Sequence, residues 1–405
     1  MSLSNVVVVG ASVAGLRAVE TLRREGFGGN ITLVSAEPHA PYDRPPLSKQ
    51  ILTGEIRPEQ LLYRDISWFA EQRVELLLGT PASGLDINRS QVRIGEQWMQ
   101  YDGLVIATGA RAQQLEMGRS LAEIYTLRTI DDALAIKEKI LPGIRVVIIG
   151  AGFIGSEVAS SAAASGAQVT ILESGKHAMS RAVGARLGHA LGQLHGEFGV
   201  NLVCNARVAG FGGDDRVESV RLEDGWELPA DIVVIGIGVL PNTEWLADSG
   251  LKLSDGLLCD ETLNAGPEAV YAAGDVMAWP NEWWGGVMRG EQWLVAAEQG
   301  MHAAKNLLTG RAQARPFSTI PYFWTDQYGC RIQVAGRTDL GELVPLVGEE
   351  TERPFLCAFR HDDRITGIFA INAPRAFAML RSTLQQHRHF DTAIESVSKH
   401  LAAAE

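Results

Sequence analysis

The feature that most constrains this chain is one strand-turn-helix pattern written twice. Val6-Val-Val-Val-Gly-Ala-Ser-Val-Ala-Gly15 recurs, roughly 140 residues later, as Val146-Val-Ile-Ile-Gly-Ala-Gly-Phe-Ile-Gly155. In each copy four apolar β-branched residues run straight into a turn of small residues. The first glycine of such a turn permits a tight reversal, the small second position lets backbone approach phosphates, and the third glycine lets helix and strand pack closely. The helix N-terminus then faces an anion. The first copy has Ser12 where the second has Gly152, and taken singly it reads equally well as a Gly-rich turn of local origin. The recurrence makes the pair specific for two dinucleotide pyrophosphates.

The segments after each turn fit a β-α-β unit. Leu16 to Arg24 carries apolar residues at 16, 19 and 22 between charges, as an amphipathic helix should, and Ile31-Thr-Leu-Val34 is the second strand. After the second turn come an alanine-rich helix and the strand Val169-Thr-Ile-Leu172. Glu37 and Glu173 then stand about 20 residues beyond their turns, where an acid accepts hydrogen bonds from a ribose diol. A glutamate after a strand is also an ordinary surface residue; its repetition in context favours the ribose role.

A chain of 405 residues suggests two to three domains. With 46% apolar and 21% charged residues it can bury large cores, and a net charge of −12 argues against a nucleic-acid partner. No apolar run reaches the ~18 residues of a membrane helix, and no charged segment precedes the first apolar stretch as a secretory signal would require, so a cytoplasmic protein is expected. Cys204, Cys259, Cys330 and Cys357 are scattered, without the close pair of a redox disulfide or zinc site.

Further stretches fill in the plan. Pro41-Tyr-Asp-Arg-Pro-Pro-Leu-Ser-Lys49 is a proline-stiffened loop that holds two cations near each other. Tyr101 to Gly109 and Ala230 to Asn242 read as buried strands ending in small-residue turns, and Asp131 to Leu141 as a polar helix stopped by Pro142-Gly143. Val270-Tyr-Ala-Ala-Gly-Asp275 is an apolar strand whose terminal Asp is either a turn residue or an acceptor for a polyol. A helix over Val295 to Leu308 precedes Gly310. Alternating runs at Arg331 to Ala335 and Gly367 to Ile371 predict a small antiparallel sheet with a terminal helix.

The two turns, the Pro41 to Lys49 loop, Ala107-Thr-Gly109, Gly274-Asp275 and Pro321-Tyr-Phe-Trp-Thr-Asp-Gln327 together resemble the FAD-dependent, NADH-using ferredoxin reductases, of putidaredoxin reductase type, that serve P450 and Rieske-type oxygenases. The resemblance spans essentially the whole chain. It implies an α/β fold of glutathione-reductase type, with two Rossmann-like dinucleotide-binding domains and a C-terminal α+β domain. The boundaries it implies are 1–112 and 240–317 for the FAD domain, 113–239 for the NADH domain and 318–405 for the C-terminal domain.

Carried over position by position, the resemblance assigns Gly10, Ser12, Val13, Ala14, Gly15 and Glu37 to the ADP half of FAD and Ala82 to its adenine pocket. Arg44, Lys49, Thr108, Gly109, Arg128, Asp275 and Trp293 would follow the cofactor toward its ring. Gly150, Gly152, Phe153, Ile154 and Gly155 would receive the NADH pyrophosphate and Glu173 its ribose, although nearby Lys176 and Arg181 weaken the discrimination against NADPH. Glu157, Gly238 and Glu291 would lie near the nicotinamide. Lys49, Glu157 and Trp324 take the catalytic roles, Lys49 near flavin N5, where a positive charge stabilises reduced flavin, and Trp324 beside the flavin. Each also has a plainer reading: Lys49 as a solvated cation, Glu157 as a helix-face charge, Trp324 as a core or interface residue.

In the implied mechanism NADH passes a hydride to FAD, and electrons leave singly to a small [2Fe-2S] ferredoxin. Such a partner is acidic and would dock on arginines, with Arg360, Arg364, Arg375, Arg381 and Arg388 forming one patch and Arg289, Arg311 and Arg315 another; a monomer or weak homodimer is implied. A rubredoxin reductase or other flavoprotein reductase is the neighbouring alternative. A redox-sensing interaction protein resembling apoptosis-inducing flavoproteins is the alternative of another class.

Overall fold

Apolar runs without polar alternation form strands that are covered on both faces, and the computed structural model places them so. It describes residues 3–118, 120–386 and 389–401. The chain divides into two units, Met1–Asp43 with Glu59–Arg111 and Leu240–Pro321, and Arg44–Pro58 with Ala112–Val239 and Tyr322–Glu405.

In the first unit the central sheet is five-stranded and parallel, in the order Val270–Ala272, Gly103–Ile106, Asn5–Val9, Asn30–Val34, Val74–Leu77. Val6 to Val9 are at most 2% exposed, so the strand carrying the first turn lies in the middle of the core. The helix Val13–Arg24 begins one turn earlier than the periodicity suggests, directly on the glycine turn. It packs against the helix Trp293–Thr309, which ends at Gly310 in a positive-φ conformation. The crossing is close: a Cβ on Gly300 would sit 2.1 Å from the Ala14 carbonyl oxygen. Two smaller sheets also belong to the unit, one antiparallel over Ala82–Asp86, Gln91–Ile94 and Gln97–Gln100, the other four-stranded between Leu253 and Arg289.

The second unit repeats the plan. Its parallel sheet runs Asn201–Cys204, Gln168–Glu173, Arg145–Ile149, Ile232–Ile235, Ile124–Thr126, with the helix Phe153–Ala164 after the second turn. The polar helix forms over Ile130–Lys139, entered through a capping box in which the Asp132 amide donates to Thr129 Oγ1 at 3.2 Å and the Thr129 amide to Asp132 Oδ2 at 2.8 Å.

The C-terminal sheet is antiparallel, in the order Tyr322–Gln327, Cys330–Gly336, Arg364–Ile371, Phe355–His361, Glu342–Val347. Two terminal helices, Pro374–Gln385 and Phe390–Leu401, stand where the sequence suggests one. Ser180–Glu197 is a helix that the sequence reading does not contain, interrupted at Gly184, where φ is +80°. Its apolar face, Val183, Leu187, Leu191 and Leu194, shares a core with Ile332, Val334, Phe355 and Phe369 of the antiparallel sheet. No helix among the described residues is long and apolar enough to cross a membrane.

The helix crossing at Gly300 is testable with two glycines. Gly300→Ala drives a methyl into backbone and should lower the denaturation midpoint, at a cost of about 1–3 kcal/mol. A Cβ on the exposed helical Gly196 meets nothing within 4 Å, so Gly196→Ala should raise stability by about 0.5–1 kcal/mol. Equal midpoints for the two variants would contradict the crossing.

Candidate functional site

The first turn lies at the carboxyl edge of its sheet, where Asn5–Val9, Gly103–Ile106 and Val270–Ala272 all end. Gly10 has φ +110°, and a Cβ there would stand 2.0 Å from the Ala107 carbonyl oxygen; one on Gly15 would stand 1.8 Å from that of Gly10. Backbone therefore lies directly on backbone, and Thr108-Gly109 is drawn beside the turn. Thr108 Oγ1 donates to the Asn242 carbonyl at 3.0 Å, and Asn242 Nδ2 returns a bond to the Thr108 carbonyl at 2.9 Å. Gly274 also borders the turn, a Cβ on it lying 3.3 Å from that of Ala14. Its amide donates to the fully buried Gln299 Oε1 at 2.8 Å, which sets Asp275 just past the strand end. The Tyr42 hydroxyl donates to Glu37 at 2.5 Å, orienting the carboxylate that follows Val34.

Around Trp293 a second group of this unit assembles at the start of its helix. Asp43 Oδ1 accepts from Trp293 Nε1 at 2.9 Å and from the Tyr63 hydroxyl at 2.7 Å. Burial and the Asp43 carboxylate push the Tyr63 phenol upward, so it stays a donor. Asp43 and Tyr63 were not singled out from sequence. Glu291 pairs with Arg289 at 2.8 Å, and Ala82 opens an edge strand packed against the core.

In the second unit the turn has the same geometry. Gly150 has φ +103° and its Cβ would meet the Gly236 oxygen at 2.4 Å; a Cβ on Gly155 would meet the Gly150 oxygen at 2.1 Å. A Cβ on Gly152 finds only the Gly236 oxygen, at 3.9 Å. No protein atom crowds the middle position, which is why Ser12 is compatible with the other copy. Phe153 packs on Phe323 at 4.3 Å between ring centroids, and Ile154 is 43% exposed. Glu173 is bound back to the turn, accepting from the Ala151 amide at 2.8 Å and the Gly175 amide at 2.6 Å. Lys176 and Arg181 are exposed beyond it. Gly238 lies past the strand Ile232–Ile235 with φ +117°.

Glu157 is the centre of the second unit's candidate site. One turn into its helix and 4% exposed, its carboxylate collects donors from two distant segments. Lys49 Nζ lies at 3.0 Å, the Ser48 hydroxyl donates to the other oxygen, Thr325 Oγ1 donates at 2.7 Å and the Asp326 amide at 3.3 Å. Ser48 is itself fixed, its carbonyl accepting from Ser161 Oγ at 2.7 Å. Ser48, Thr325 and Asp326 are the members that sequence reasoning missed; all sit inside two of the segments that carry the family resemblance, but no spacing links positions 48, 157 and 325.

Trp324 projects from the opposite face of its strand to Thr325. Tyr322 stacks near it at 6.0 Å, and the Arg331 guanidinium lies 5.5 Å from its ring centroid. Arg44 donates to the Arg128 carbonyl at 2.5 Å.

The four cysteines are free, and burial, the leading cause in each, holds all four thiols above their ordinary range; none is poised as a thiolate. Of the arginines, Arg360 covers the Phe390 ring, Arg381 covers Tyr322 at 4.4 Å, Arg364 is 3.9 Å from Asp363, and Arg375 and Arg315 are exposed. Arg289 also contacts Asp255, Arg311 is 3.6 Å from Asp260, and Arg388 lies outside the described residues.

Comparison with known proteins matches residues 4–300 to the pyridine nucleotide-disulphide oxidoreductase family and residues 322–396 to the reductase C-terminal domain. The ferredoxin reductase component of chlorobenzene dioxygenase from Cupriavidus sp. (strain PS12) is 37% identical over 93% of this chain and 91% of its own. The ferredoxin–NAD(+) reductase component of the biphenyl dioxygenase system from Paraburkholderia xenovorans (strain LB400) is 36% identical over 93% and 92%. Putidaredoxin reductase in its solved covalent complex with putidaredoxin superposes with a TM-score of 0.93 at 29% identity over 99% of both chains. With both of its family domains matched and relatives of this identity along nearly its full length, the chain belongs to the pyridine nucleotide-disulphide oxidoreductase family, among the ferredoxin reductases that carry the reductase C-terminal domain.

Proposed function

We propose that this chain is an NADH-dependent, FAD-containing reductase that delivers single electrons to a small [2Fe-2S] ferredoxin, which in turn feeds a P450 or Rieske-type oxygenase. The observation that carries the reading is the pair of glycine turns, each with backbone packed on backbone and an ordered glutamate at the next strand end, in a chain whose four cysteines are free.

Residues 1–112 and 240–317 would bind FAD, 113–239 NADH, and 318–405 would form the C-terminal domain. The open space over Gly152 and its counterpart Ser12 is what a pyrophosphate needs, and the amides at both helix starts suit its charge. When bound, FAD supplies hydride acceptance and one-electron release. The chain's own work is placement and charge. Gly10, Ser12, Val13, Ala14, Gly15 and Glu37 would seat the adenosine diphosphate, with Ala82 at the adenine. Arg44, Thr108, Gly109, Arg128, Asp275 and Trp293 would align the remainder of that cofactor.

Gly150, Gly152, Phe153, Ile154, Gly155 and Glu173 would seat the nicotinamide dinucleotide, with Gly238 and Glu291 near its reactive end. Ser48 and Thr325 fix the Glu157 carboxylate, which pairs with the Lys49 ammonium and so holds it in one preorganised place. A cytoplasmic protein, monomeric or weakly dimeric, fits this reading.

Ferredoxin docking belongs on the arginines of the C-terminal domain. Arg381, Tyr322 and Trp324 form a continuous stack there, and Arg375 and Arg364 stand exposed nearby in sequence. Charge complementarity of this kind chiefly speeds encounter.

Two measurements test these assignments. Glu173→Ala removes the ribose acceptor and should lower the NADH-over-NADPH ratio of kcat/KM by about tenfold, which corresponds to about 1.4 kcal/mol; an unchanged ratio would take Glu173 out of nucleotide selection. Reversing charge with Arg364→Glu and Arg375→Glu should slow reduction of a [2Fe-2S] ferredoxin at low salt by about tenfold, within the usual spread of steering effects, while NADH oxidation with a small artificial acceptor stays normal. Unaltered ferredoxin reduction would place docking elsewhere.

A further inference from the structure

The hairpin that delivers Thr325 and Asp326 to Glu157 closes through a turn that its sequence disfavours. Gln327 pairs with Cys330, leaving Tyr328 and Gly329 as a two-residue loop with φ of +54° and +72°. Two positive φ values are the mark of a type I′ turn, where Asn, Asp or Gly is preferred at the first position. A bulky aromatic residue in that conformation persists only when its surroundings hold it there.

The surroundings are specific. Tyr328 donates its amide to Ser160 Oγ at 2.7 Å. Its ring stacks on Phe198 with centroids 4.6 Å apart and planes 13° from parallel. Its hydroxyl is 2.7 Å from Nδ1 of His195, which is 0% exposed in the helix Ser180–Glu197. On the other side, Nε2 of His195 lies 3.4 Å from the hydroxyl of Ser156, also 0% exposed and the neighbour of Glu157 in sequence. Burial lowers the His195 pKa to about 4, so near neutral pH the imidazole carries one donor and one acceptor, enough for both hydroxyl partners.

The turn is therefore tied twice to the helix Phe153–Ala164 that presents Glu157. Ser160 takes its backbone amide, and His195 links its side chain to Ser156. Of these two ties, the one through the imidazole reaches the residue next to Glu157. Three residues before the turn's tyrosine, Thr325 meets Glu157, and the fully buried Gln327 donates to Thr325 Oγ1 at 3.0 Å, making the path from turn to carboxylate continuous.

We infer that His195 is a positioning residue: by holding Tyr328 in its positive-φ turn and Ser156 on the facing helix, it sets the register in which Thr325 and Asp326 meet Glu157. Its bearing on turnover rests on the reductase reading; its bearing on the hairpin does not.

The test uses the full-length protein with its cofactor bound. Amide hydrogen exchange of the 322–330 segment is compared in the parent, His195→Phe, Tyr328→Phe and His195→Asn, the last retaining a polar atom near the place of Nδ1. Exchange should quicken in His195→Phe and Tyr328→Phe and return toward the parent rate in His195→Asn. Parent-like exchange in His195→Phe overturns the inference. A double-mutant cycle then separates positioning from packing.

His195→Phe should lower kcat about tenfold, the scale of a small misplacement of reacting groups, with KM for NADH nearly unchanged, and it should have little further effect in a Glu157→Gln background. Equal losses in both backgrounds would overturn the link to Glu157. A parent that does not oxidise NADH would sink the reductase reading, and the exchange comparison would still decide the hairpin claim.

Discussion

A carboxylate that is 4% exposed cannot stand alone, because transferring an unpaired charge out of water is far more costly than any single contact can offset. Much of the second unit is arranged around this requirement at Glu157. One ammonium, two hydroxyls and a backbone amide reach it from the Ser48-Lys49 loop and the Thr325-Asp326 strand. Two of these donors are supported in turn, Ser48 by Ser161 and Thr325 by Gln327. The result is an ion pair that fixes the position of the Lys49 ammonium, where a solvated lysine would sample many rotamers.

The paired turns show the same economy in the backbone. At Gly10 and Gly150, carbonyl oxygens from neighbouring strands occupy the space of a side chain, and at Gly15 and Gly155 the turn's own first carbonyl does so. These four positions admit only glycine for reasons internal to the protein. The middle position differs, because no protein atom crowds Gly152, and its demand for a small residue comes from whatever lies over the turn. That distinction explains how Ser12 and Gly152 occupy equivalent places without a change in the fold.

Both Rossmann-like cores were legible in the sequence, since four β-branched residues before a small-residue turn leave few alternatives and the adjoining helix and strand obey local periodicity. Helices such as Ile130–Lys139 and Trp293–Thr309 fell close to their expected limits, because caps and glycine stops are local signals. Ser180–Glu197 did not: Val183, Leu187, Leu191 and Leu194 recur at helical spacing, but Gly184, Gly188 and Gly192 beside them weaken the local preference for helix, and the face is buried on the C-terminal sheet. The cluster at Trp293 was only partly visible: Trp293 was identified, while Asp43 and Tyr63 became its partners only through the fold.

The two glycine turns, the glutamates that follow them and the absence of a close cysteine pair could be read before any fold was known, because each is carried by residues near one another in the chain. Only the tertiary structure decided which groups surround Glu157 and that a buried histidine holds the hairpin beside it. Those contacts join residues more than 100 positions apart, Ser48 to Glu157 and His195 to Tyr328 among them. No periodicity encodes such pairs; they exist because buried polar groups must find partners wherever the packed chain brings them.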